Sequence, residues 1–400
     1  MNVWLLDPGA MTPYYDISLT QALRAAGIAA RLMTSRYLYE DQVPQAEQVA
    51  EYRFFRATAG WSKLLRRSAG LRWAARLAQY PLDWLRLYRE FASQPPDLLH
   101  MQWAWLPPLD QATLGLMSRR VPLVLTVHDV LPRAAAMTRL ADMRPIYRLA
   151  DWFIVHAEEN RRSLIARGGV NPGRVSVVPM GPSLEDQPLV ERAEARQRLG
   201  LPADASVILF FGGIKPYKGL TDLLQAFQIL RQQTPTTHLL IAGTVEGSAQ
   251  PYHDEIDRLG IRDRVTFHVG FIPSMEVPAY FGASDIVCLP YREASQSAAL
   301  LLAYRFAQPV VVTDVGALTE SVDEGKNGFI VPPADPVALA QALTNVLADP
   351  ALRKKMGEHS RRLAETRFGW PQAAQQTLQV YELARSYRAS LRRTATKTHD

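Results

Sequence analysis

The sequence has 400 residues, of which 48% are hydrophobic and 21% charged, and its formal net charge is +6. This length exceeds what one hydrophobic core usually supports, so we expect two domains, and the composition excludes a largely disordered chain. The charge is local: residues 61–89 carry seven basic side chains and one acid, and residues 383–400 carry five basic side chains and one acid. A nucleic-acid binder with diffuse positive charge is therefore not favoured.

The location predicted from the sequence is cytoplasmic. No apolar run of about 18 residues is present, which argues against a membrane-spanning helix. The first ten residues, MNVWLLDPGA, enter a strand pattern directly and lack the basic start and cleavage site of a signal peptide. The single Cys288 cannot form an internal disulfide, which fits a reducing compartment.

Short apolar runs alternate with helical patterns along both halves of the chain. In the first half, strands are predicted at 3–7, 97–101, 123–127, 152–156 and 175–179. In the second half, they are predicted at 207–212, 238–242, 265–269, 286–289 and 309–313. Continuous apolar strands separated by helices indicate parallel sheets covered on both faces. We therefore predict an α/β protein with two Rossmann-like domains, at 1–180 and 205–370, joined by a linker at 181–204.

The segment 36–96 does not fit this alternation, because it is aromatic, basic and largely helical in pattern. One interpretation is a helical insertion that caps the N-terminal domain. The other is a surface that meets anionic lipid, since Trp61, Leu64, Leu65 and Leu71 share one helical face among arginines.

Ligands of open parallel sheets bind beyond the carboxyl ends of the strands, where loops and helix N-termini converge. Glycine, charged and histidine residues gather after the predicted strands of both halves. In the first half the residues at this edge include Gly9, Gln102, Trp103, His128, Asp129 and Gly181. In the second half they include Gly212, Gly213, Gly243, Thr244, Gly270, Phe271, Tyr291, Arg292 and Glu293. We expect the two edges to face each other across one cleft.

The segment VILFFGGIKPYKGLTDLLQAF carries the strongest single signal. A strand ends at Gly212 and Gly213, where backbone can approach a ligand closely. Lys215 and Lys218 follow just before a helix, and two ammonium groups beside a helix N-terminus suit a diphosphate. The alternative is a tight turn with two solvated lysines, since a glycine-rich strand–helix turn is weak evidence by itself.

A second segment, DIVCLPYREASQSAALLLAY, follows about 75 residues later. Its strand leads to Tyr291, Arg292 and Glu293, and the next helix begins after Gln296 and Ser297, at Ala298. The amides of such a helix can bind phosphate oxygens, and the carboxylate can accept hydrogen bonds from sugar hydroxyls. The alternative for Glu293 is a favourable charge near a helix N-terminus.

In the first half, LVLTVHDVLP places His128 and Asp129 at the end of a buried strand. His128 is predicted to lie in the functional site, with a satisfied core histidine as the alternative. Asp129 either belongs to the site or caps the following turn. Trp103 and Trp105 follow another strand, where they either stack on an acceptor sugar or pack in the domain core.

These residues resemble the retaining glycosyltransferases of family 4, also called group 1. The likeness spans nearly the whole chain and is strongest over 175–333, through FFGGIKPYKGLTDLLQAF, GASDIVCLPY, PVVVTDVGALTE and GKNGFIVPPAD. The closing FGWPQAAQQTLQVYELA resembles the family's last helices, so residues 371–400 are expected to return to the N-terminal domain.

The resemblance implies a GT-B fold, a nucleotide-diphosphate (NDP) sugar held by the C-terminal domain and an acceptor held by the N-terminal one. It also implies retention of the anomeric configuration and no essential metal or cofactor. His128, Lys218 and Glu293 match catalytic positions of the family, and Gly9 keeps part of its first glycine loop. The acceptor is expected to be a saccharide or a lipid-linked saccharide of exopolysaccharide or lipopolysaccharide assembly, at the inner face of a membrane.

Two positions depart from the family pattern. Gly213 replaces the usual arginine, and Lys215 is predicted to restore that charge. Leu301 replaces the second of two glutamates, which normally binds ribose hydroxyls, so ribose recognition must differ. These departures support one rival function, a non-catalytic partner subunit. A second rival is an NDP-sugar 2-epimerase, which uses the same fold. A dinucleotide oxidoreductase is disfavoured because no strand is followed by Gly-x-Gly-x-x-Gly with an acid about 20 positions on.

Overall fold

The computed structural model describes residues 1–40, 43–61, 69–130 and 142–397, without the side chains of 59–61, 69 and 395–397. The chain forms two compact units. The first unit comprises Met1–Gly181 and Trp370–Asp400, and the second comprises Pro182–Gly369. The expectation of two parallel-sheet Rossmann-like domains is confirmed.

The first unit contains a seven-stranded parallel sheet of order β3-β2-β1-β4-β5-β6-β7. Its strands are β1 (Asn2–Asp7), β2 (Ala29–Thr34), β3 (Ala50–Tyr52), β4 (Leu98–Met101), β5 (Leu123–Thr126), β6 (Trp152–Val155) and β7 (Val175–Val177). The central strands read as continuous apolar runs because helices bury both of their faces. In the central pair, Val3 is in register with Leu98 and Leu6 with Met101.

Seven α-helices of the described residues belong to this unit. They are α1 (Pro13–Ala25), α2 (Ala46–Val49), α3 (Ala69–Ser93), α4 (Pro107–Met117), α5 (Arg144–Tyr147), α6 (Glu158–Gly168) and the closing helix, α15 (Trp370–Lys397). The closing helix contacts α1, and Trp370 and Tyr381 are buried in the same core as β1. The prediction that the C-terminal helix returns to the N-terminal domain is confirmed, with its start at Trp370.

The segment 36–96 is only partly the helical insertion that was predicted. It contains β3, a three-residue edge strand too short to show as a period, followed by the 25-residue helix α3. One face of α3 buries Tyr80, Trp84, Leu87 and Phe91, at the helical spacing of four, three and four residues. The proposed lipid-facing side chains of Trp61, Leu64 and Leu65 lie outside the described residues.

The second unit contains a six-stranded parallel sheet of order β10-β9-β8-β11-β12-β13. Its strands are β8 (Val207–Phe211), β9 (His238–Gly243), β10 (Val265–Val269), β11 (Ile286–Leu289), β12 (Val310–Thr313) and β13 (Gly328–Val331). Its helices are α7 (Arg192–Leu199), α8 (Leu220–Arg231), α9 (Gln250–Arg258), α10 (Val277–Ala283), α11 (Ala298–Arg305), α12 (Leu318–Ser321), α13 (Pro336–Ala348) and α14 (Pro350–Glu365).

The predicted linker at 181–204 is instead part of the second unit. It contains α7, which packs against α10. Arg196 of α7 is buried, with its guanidinium 2.9 Å from Asp285 and its Nε 3.1 Å from the carbonyl oxygen of Ala283. Asp285 also accepts from the amide of Val207 at 2.8 Å. This buried ion pair joins α7 to the starts of β8 and β11, so the unit begins at Pro182 rather than at 205.

Within the described residues, no helix is both long and apolar enough to cross a membrane.

Candidate functional site

Each sheet reverses its strand order once, between β1 and β4 in the first unit and between β8 and β11 in the second. Ligands of open parallel sheets bind beyond the carboxyl ends of the strands at such a reversal, because the flanking loops diverge there. The residues at these two edges are described separately below.

At the edge of the second unit, two glycines permit a close approach of backbone segments. A Cβ at Gly243, whose φ is 151°, would lie 1.8 Å from the carbonyl oxygen of Gly212, which joins the ends of β8 and β9. A Cβ at Gly219, whose φ is 66°, would lie 1.9 Å from the carbonyl oxygen of Pro290. Glycine at position 243 is therefore required for the end of β9 to approach the turn after β8, and glycine at position 219 for this turn to lie against the end of β11.

Lys218 is the cation at the centre of this edge. It ends the 3-10 turn Pro216–Lys218 that precedes α8, and its Nζ lies 4.9 Å from the ring centroid of Tyr291. No carboxylate within the described residues pairs with this half-buried side chain. Lys215, by contrast, lies 3.7 Å from Glu246 with both side chains exposed, and such a pair contributes little to stability. Lys218 is thus available to an anion, whereas Lys215 is partly neutralised.

The loop after β11 places three of the predicted residues in distinct environments. Tyr291 is buried, and its hydroxyl lies 3.2 Å from the hydroxyl of Ser297. Arg292 makes a two-pronged ion pair with Asp222 of α8, at 2.7 and 2.8 Å. Glu293 is exposed and has no hydrogen-bond or ion-pair partner among the described residues. Arg292 therefore anchors the loop, and Glu293 is the free carboxylate.

The N-terminus of α11 points two amides at this edge. Ser297 caps the helix: its hydroxyl and carbonyl oxygens accept from the amide of Leu300, at 3.3 and 3.1 Å, and the amide of Leu301 lies 3.4 Å from the same carbonyl. The amides of Ala298 and Ala299 are left without a helical acceptor, as expected for a first turn. Together with the helix dipole, they favour an anion near Ala298.

Leu301, the departure from the family pattern, is 4% exposed. Its side chain is committed to the interior of the second unit and offers no polar atom to a ribose. Gln296, five residues earlier, has a buried side-chain oxygen with no hydrogen-bond partner among the described residues. An acceptor group of this kind is what ribose hydroxyls require.

The remaining predicted donor residues lie at the ends of the neighbouring strands. The amide of Gly270 donates to the carbonyl of Gly243 at 3.0 Å, and the amide of Ile214 donates to the carbonyl of Thr244 at 2.8 Å. The side chains of Thr244 and Phe271 are exposed. Gly213 has open space around its Cα. These residues share the edge with Lys218 without a direct contact to it.

In the first unit, the loop after β1 is held by a pair of buried carboxyls. Asp7 accepts from the amides of Met11 and Thr12, at 2.6 and 3.2 Å, and lies in hydrogen-bond contact with Asp16 of α1. Burial, together with the charge of Asp7, raises the pKa of Asp16 well above its ordinary value. The fold therefore favours the protonated form of Asp16, and the amides of Met11 and Thr12, by donating to Asp7, fix the loop that contains Gly9.

His128 lies in a network of aromatic and polar side chains. Its ring stacks on Trp103 with a centroid separation of 5.1 Å and an interplanar angle of 4°. Its Nδ1 lies 3.1 Å from Nε2 of His156, and its Nε2 lies 3.2 Å from the side-chain oxygen of Gln102. Tyr15 meets the ring edge-on at 4.9 Å. These contacts fix the orientation of the imidazole.

The network also determines which nitrogen of His128 carries a proton. Nδ1 of His156 lies 2.9 Å from the carbonyl oxygen of Val178, which can only accept, so this nitrogen is protonated. Nε2 of neutral His156 must then accept from Nδ1 of His128. The free lone pair of His128 is consequently on Nε2. The side-chain amide of Gln102 is therefore oriented with its nitrogen, rather than its oxygen, toward Nε2, and it donates to this lone pair. A sugar hydroxyl that donates to Nε2 of His128 has to replace Gln102.

All three histidines at this edge are neutral at physiological pH. Burial lowers the pKa of His100 to about 3 and that of His156 to about 4. Burial and the two neighbouring histidines also lower the pKa of His128 well below its ordinary value. A neutral imidazole suits a sugar hydroxyl better than it suits a phosphate.

The contacts of Trp103, Trp105 and Asp129 differ from those expected of an exposed surface on which an acceptor sugar stacks. Trp103 uses one face for His128 and donates its Nε1 proton to Thr12 at 3.0 Å, so it positions His128. Trp105 is partly packed in the core, edge-on to Phe55 and Tyr80 at 4.9 and 4.8 Å. Asp129 is exposed at the start of the next loop. The acceptor role of all three stays a prediction.

Sequence reasoning placed Gln102 at this edge but missed His156 and Tyr15 as members of the site. The signal for His156 was present, since it ends the predicted strand 152–156 at the same sheet edge as His128. Tyr15 gave no signal, because it reads as one apolar position of an amphipathic helix.

The chain is similar to proteins that transfer sugars. Residues 191–363 match the family model described as Glycosyl transferases group 1, and residues 17–186 match the one described as Glycosyltransferase Family 4. A D-inositol 3-phosphate glycosyltransferase of Kineococcus radiotolerans is 30% identical over 416 residues, which cover 96% of this chain and 93% of that one.

Two solved structures share the fold. The sucrose-phosphate synthase of Thermosynechococcus elongatus gives a TM-score of 0.68 at 22% identity, over 96% of this chain and 98% of that one. Anabaena HepE in complex with UDP and glucose gives a TM-score of 0.68 at 20% identity, over 96% and 99% of the two chains.

Proposed function

We propose that this protein, which belongs to the group 1 (family 4) glycosyltransferases, moves a hexose from an NDP-sugar to a saccharide or lipid-linked saccharide, with retention of configuration and without a metal ion. The chain is a glycosyltransferase with the GT-B fold, as its family models, relatives and structural neighbours show. The donor, the stereochemistry, the acceptor and the metal independence are the proposed part.

The observation that carries the proposal is the unpaired Lys218 beside the first turn of α11. A departing nucleotide diphosphate gains negative charge as its bond to the sugar breaks. The ammonium of Lys218 and the amides of Ala298 and Ala299 supply fixed positive charge for it. By analogy with oxyanion donors, losing one such group costs about 3 kcal/mol of transition-state stabilisation.

The other proposed roles follow from the charge state of each group. Glu293, an exposed and unpaired carboxylate, accepts hydrogen bonds from donor-sugar hydroxyls. His128, held neutral with its lone pair on Nε2, binds a sugar hydroxyl of the substrate. The anomeric carbon loses its bond to the diphosphate oxygen and gains one to the acceptor oxygen on the same face. The acceptor proton passes to the leaving diphosphate, so no protein base is assigned.

The basic segment 61–89 motivates the proposal that the protein acts at an anionic membrane face, where lipid-linked acceptors of exopolysaccharide or lipopolysaccharide assembly are found. Flotation with phosphatidylglycerol vesicles tests it. Wild type is expected to float at low salt, and the triple variant R66E/R67E/R72E is expected to sediment. Equal flotation of both proteins would contradict a role for this segment.

A thermal-shift panel of UDP, GDP, ADP and their glucose and mannose conjugates tests the donor site. A nucleotide at 100 times its dissociation constant is expected to add about 2.7 kcal/mol to stability. We expect one base to stabilise the wild type with or without EDTA, and Lys218→Ala to lose the effect. Lys354→Ala, on exposed α14, is the matched control.

The same panel separates the rival functions. Stabilisation that requires a divalent cation would contradict the metal-free site. No stabilisation by any nucleotide would contradict the transferase proposal and favour a non-catalytic partner subunit. Conversion of an NDP-glucose to its 2-epimer without an acceptor would identify an epimerase.

A further inference from the structure

Arg76 of α3 is a largely buried cation with no counter-ion among the residues that the structure describes. Two arginines of the described residues expose less than a tenth of their surface: Arg196 is 1% exposed and Arg76 is 7% exposed. Arg196 has Asp285 at 2.9 Å. No acceptor or carboxylate of the described residues hydrogen-bonds or pairs with Arg76, whose guanidinium carbon lies 4.5 Å from the ring centroid of Phe55. A guanidinium that no described carboxylate neutralises can pair with an anionic ligand.

The charge of Arg76 persists at neutral pH. Burial and the nearby charge of Arg72, one helical turn earlier, lower the pKa of Arg76 to about 10. The group therefore remains a full cation at pH 7, next to a second cation. A guanidinium in this state recognises a carboxylate or a phosphate through two parallel hydrogen bonds.

Aromatic side chains surround this cation. Phe55 meets Trp105 at a centroid distance of 4.9 Å, and Trp105 meets Trp73 at 6.4 Å. Trp73, three residues before Arg76 on α3, is 48% exposed. Large aromatic faces left open to solvent are the usual platform for sugar rings. An acidic sugar thus finds both of its recognition elements here.

The position of this cluster in the fold matches that of a substrate site. Phe55 follows β3 and Trp105 follows β4, and a Cβ at Gly9, after β1, would lie 3.1 Å from the Trp105 ring. All three therefore lie beyond the carboxyl ends of their strands. Phe55 is also held at a φ of 55°, with its amide donating to Asp83 of α3 at 2.7 Å. Such a backbone conformation is unusual for a bulky residue and is concentrated at functional sites.

We propose that Arg76, Trp73 and Trp105 form an acceptor subsite that selects a sugar bearing an acidic group, either a phosphate or a carboxylate. The inference rests on the proposed transferase function and specifies the substrate class that the first unit binds. The ring stacks on the tryptophans, and the acidic group pairs with the guanidinium of Arg76.

Quenching of tryptophan fluorescence tests the subsite with glucose, glucose 6-phosphate, glucuronate and inorganic phosphate as probes. We expect wild type to bind at least one acidic sugar at least ten-fold more tightly than glucose. Arg76→Gln is expected to remove this preference. Arg89→Gln, an exposed position on the same helix, is expected to keep it. If Arg76→Gln does not fold, Arg76→Lys takes its place in the test. This variant keeps the charge, so we expect it to bind acidic sugars more weakly while still preferring them to glucose.

The two acidic probes identify the anion: preference for glucose 6-phosphate assigns a phosphate, and preference for glucuronate assigns a carboxylate. An unchanged preference in Arg76→Gln would overturn the subsite. The subsite would also be overturned if Lys218→Ala lost the preference for acidic sugars and Arg76→Gln kept it. The probe would then occupy the donor site. Nucleotide binding on the same preparations separates the two proposals. Nucleotide binding without any acidic-sugar preference defeats the subsite alone, whereas absence of nucleotide binding defeats the transferase proposal.

Discussion

The carboxyl edges of the two sheets are built alike and charged differently. In the second unit, Lys218 and the first turn of α11 present unpaired positive charge beside glycine turns. In the first unit, the equivalent edge presents the neutral imidazoles of His128 and His156 among aromatic rings. The positive charge around Lys218 suits a diphosphate, and the neutral acceptors around His128 suit hydroxyls. The same strand order thus provides two chemistries, set by the side chains that follow the strands.

The largest expected effect comes from disturbing the glycine turn of the second unit. Gly219→Ala places a Cβ 1.9 Å from the carbonyl oxygen of Pro290 at a φ that favours glycine, so the turn must move. We expect a loss of about 3 kcal/mol in unfolding free energy and of nucleotide binding. Urea denaturation measures the first and thermal shift the second. Gly213→Ala, with open space at its Cα, should leave stability within about 0.5 kcal/mol. Equal stability of the two variants would contradict the packing of this turn.

Acid is expected to weaken the first unit through its neutral histidines. The pKa of buried His156, about 4, lies below its unfolded value near 6.5, so the unfolded chain binds more protons between these values. The stabilising effect of the neutral form is complete above pH 6.5 and is lost as pH falls toward 4, by roughly 3 kcal/mol for this residue. Urea denaturation from pH 7 to 4.5 measures it. His156→Asn should show a shallower slope than wild type, and an identical slope would contradict the neutral network.

Loss of the tautomer constraint on His128 should have a moderate effect on turnover. His156→Asn cannot hold the proton on Nδ1 of His128 in the same way, so Nε2 no longer accepts reliably. We expect the rate of donor hydrolysis, measured with UDP-glucose, GDP-glucose and ADP-glucose, to fall about ten-fold, as for other residues that orient a reactive side chain. KM should change less than kcat. His253→Asn, on α9, is the control. A rate equal to wild type would remove His156 from the site.

The smallest expected effect concerns Asp16. Its raised pKa means that the fold favours the protonated carboxyl, so this contribution is complete below pH 3.8 and is lost as pH rises through the folded pKa. Asp16→Asn keeps a donor toward Asp7 and does not titrate. We expect the melting temperature of the variant to rise relative to wild type between pH 5 and 8, by an amount equivalent to on the order of 1 kcal/mol. Asp204→Asn, which is exposed, should show no such trend.

Most central strands were predictable because they are buried on both faces and therefore read as apolar runs, such as VILFF in β8. The inner strand β2, AARLMT, was missed because Arg31 interrupts its apolar run. The edge strands β3 and β13 were missed, since three or four residues with partly exposed faces leave no clear period. Helix α7 was taken for a linker because its sequence, RAEARQRL, is almost wholly polar. What holds it is the pairing of Arg196 with Asp285, 89 positions away, which no local pattern reveals.

The residues of the candidate site likewise fall into two classes: those that local sequence reveals and those whose contacts depend on distant residues. Lys218 and the Ser297 cap were readable, because each is local to one strand–helix turn. Arg292 was expected to bind the donor, but its pairing with Asp222, 70 residues earlier, depends on the sheet bringing β11 beside α8. The environment of Arg76 was equally hidden, since a sequence shows an arginine but not that no described carboxylate pairs with it.

The most direct test of the account is the contribution of Lys218 to binding of the terminal phosphate of the donor nucleotide. Calorimetry would compare UDP, GDP and ADP with UMP, GMP and AMP on wild type, Lys218→Ala and the Lys354→Ala control. We predict that wild type and control prefer one diphosphate over its monophosphate by at least ten-fold, and that Lys218→Ala loses most of this preference. A preference that survives in Lys218→Ala would contradict the assignment of the donor site to this edge of the second unit.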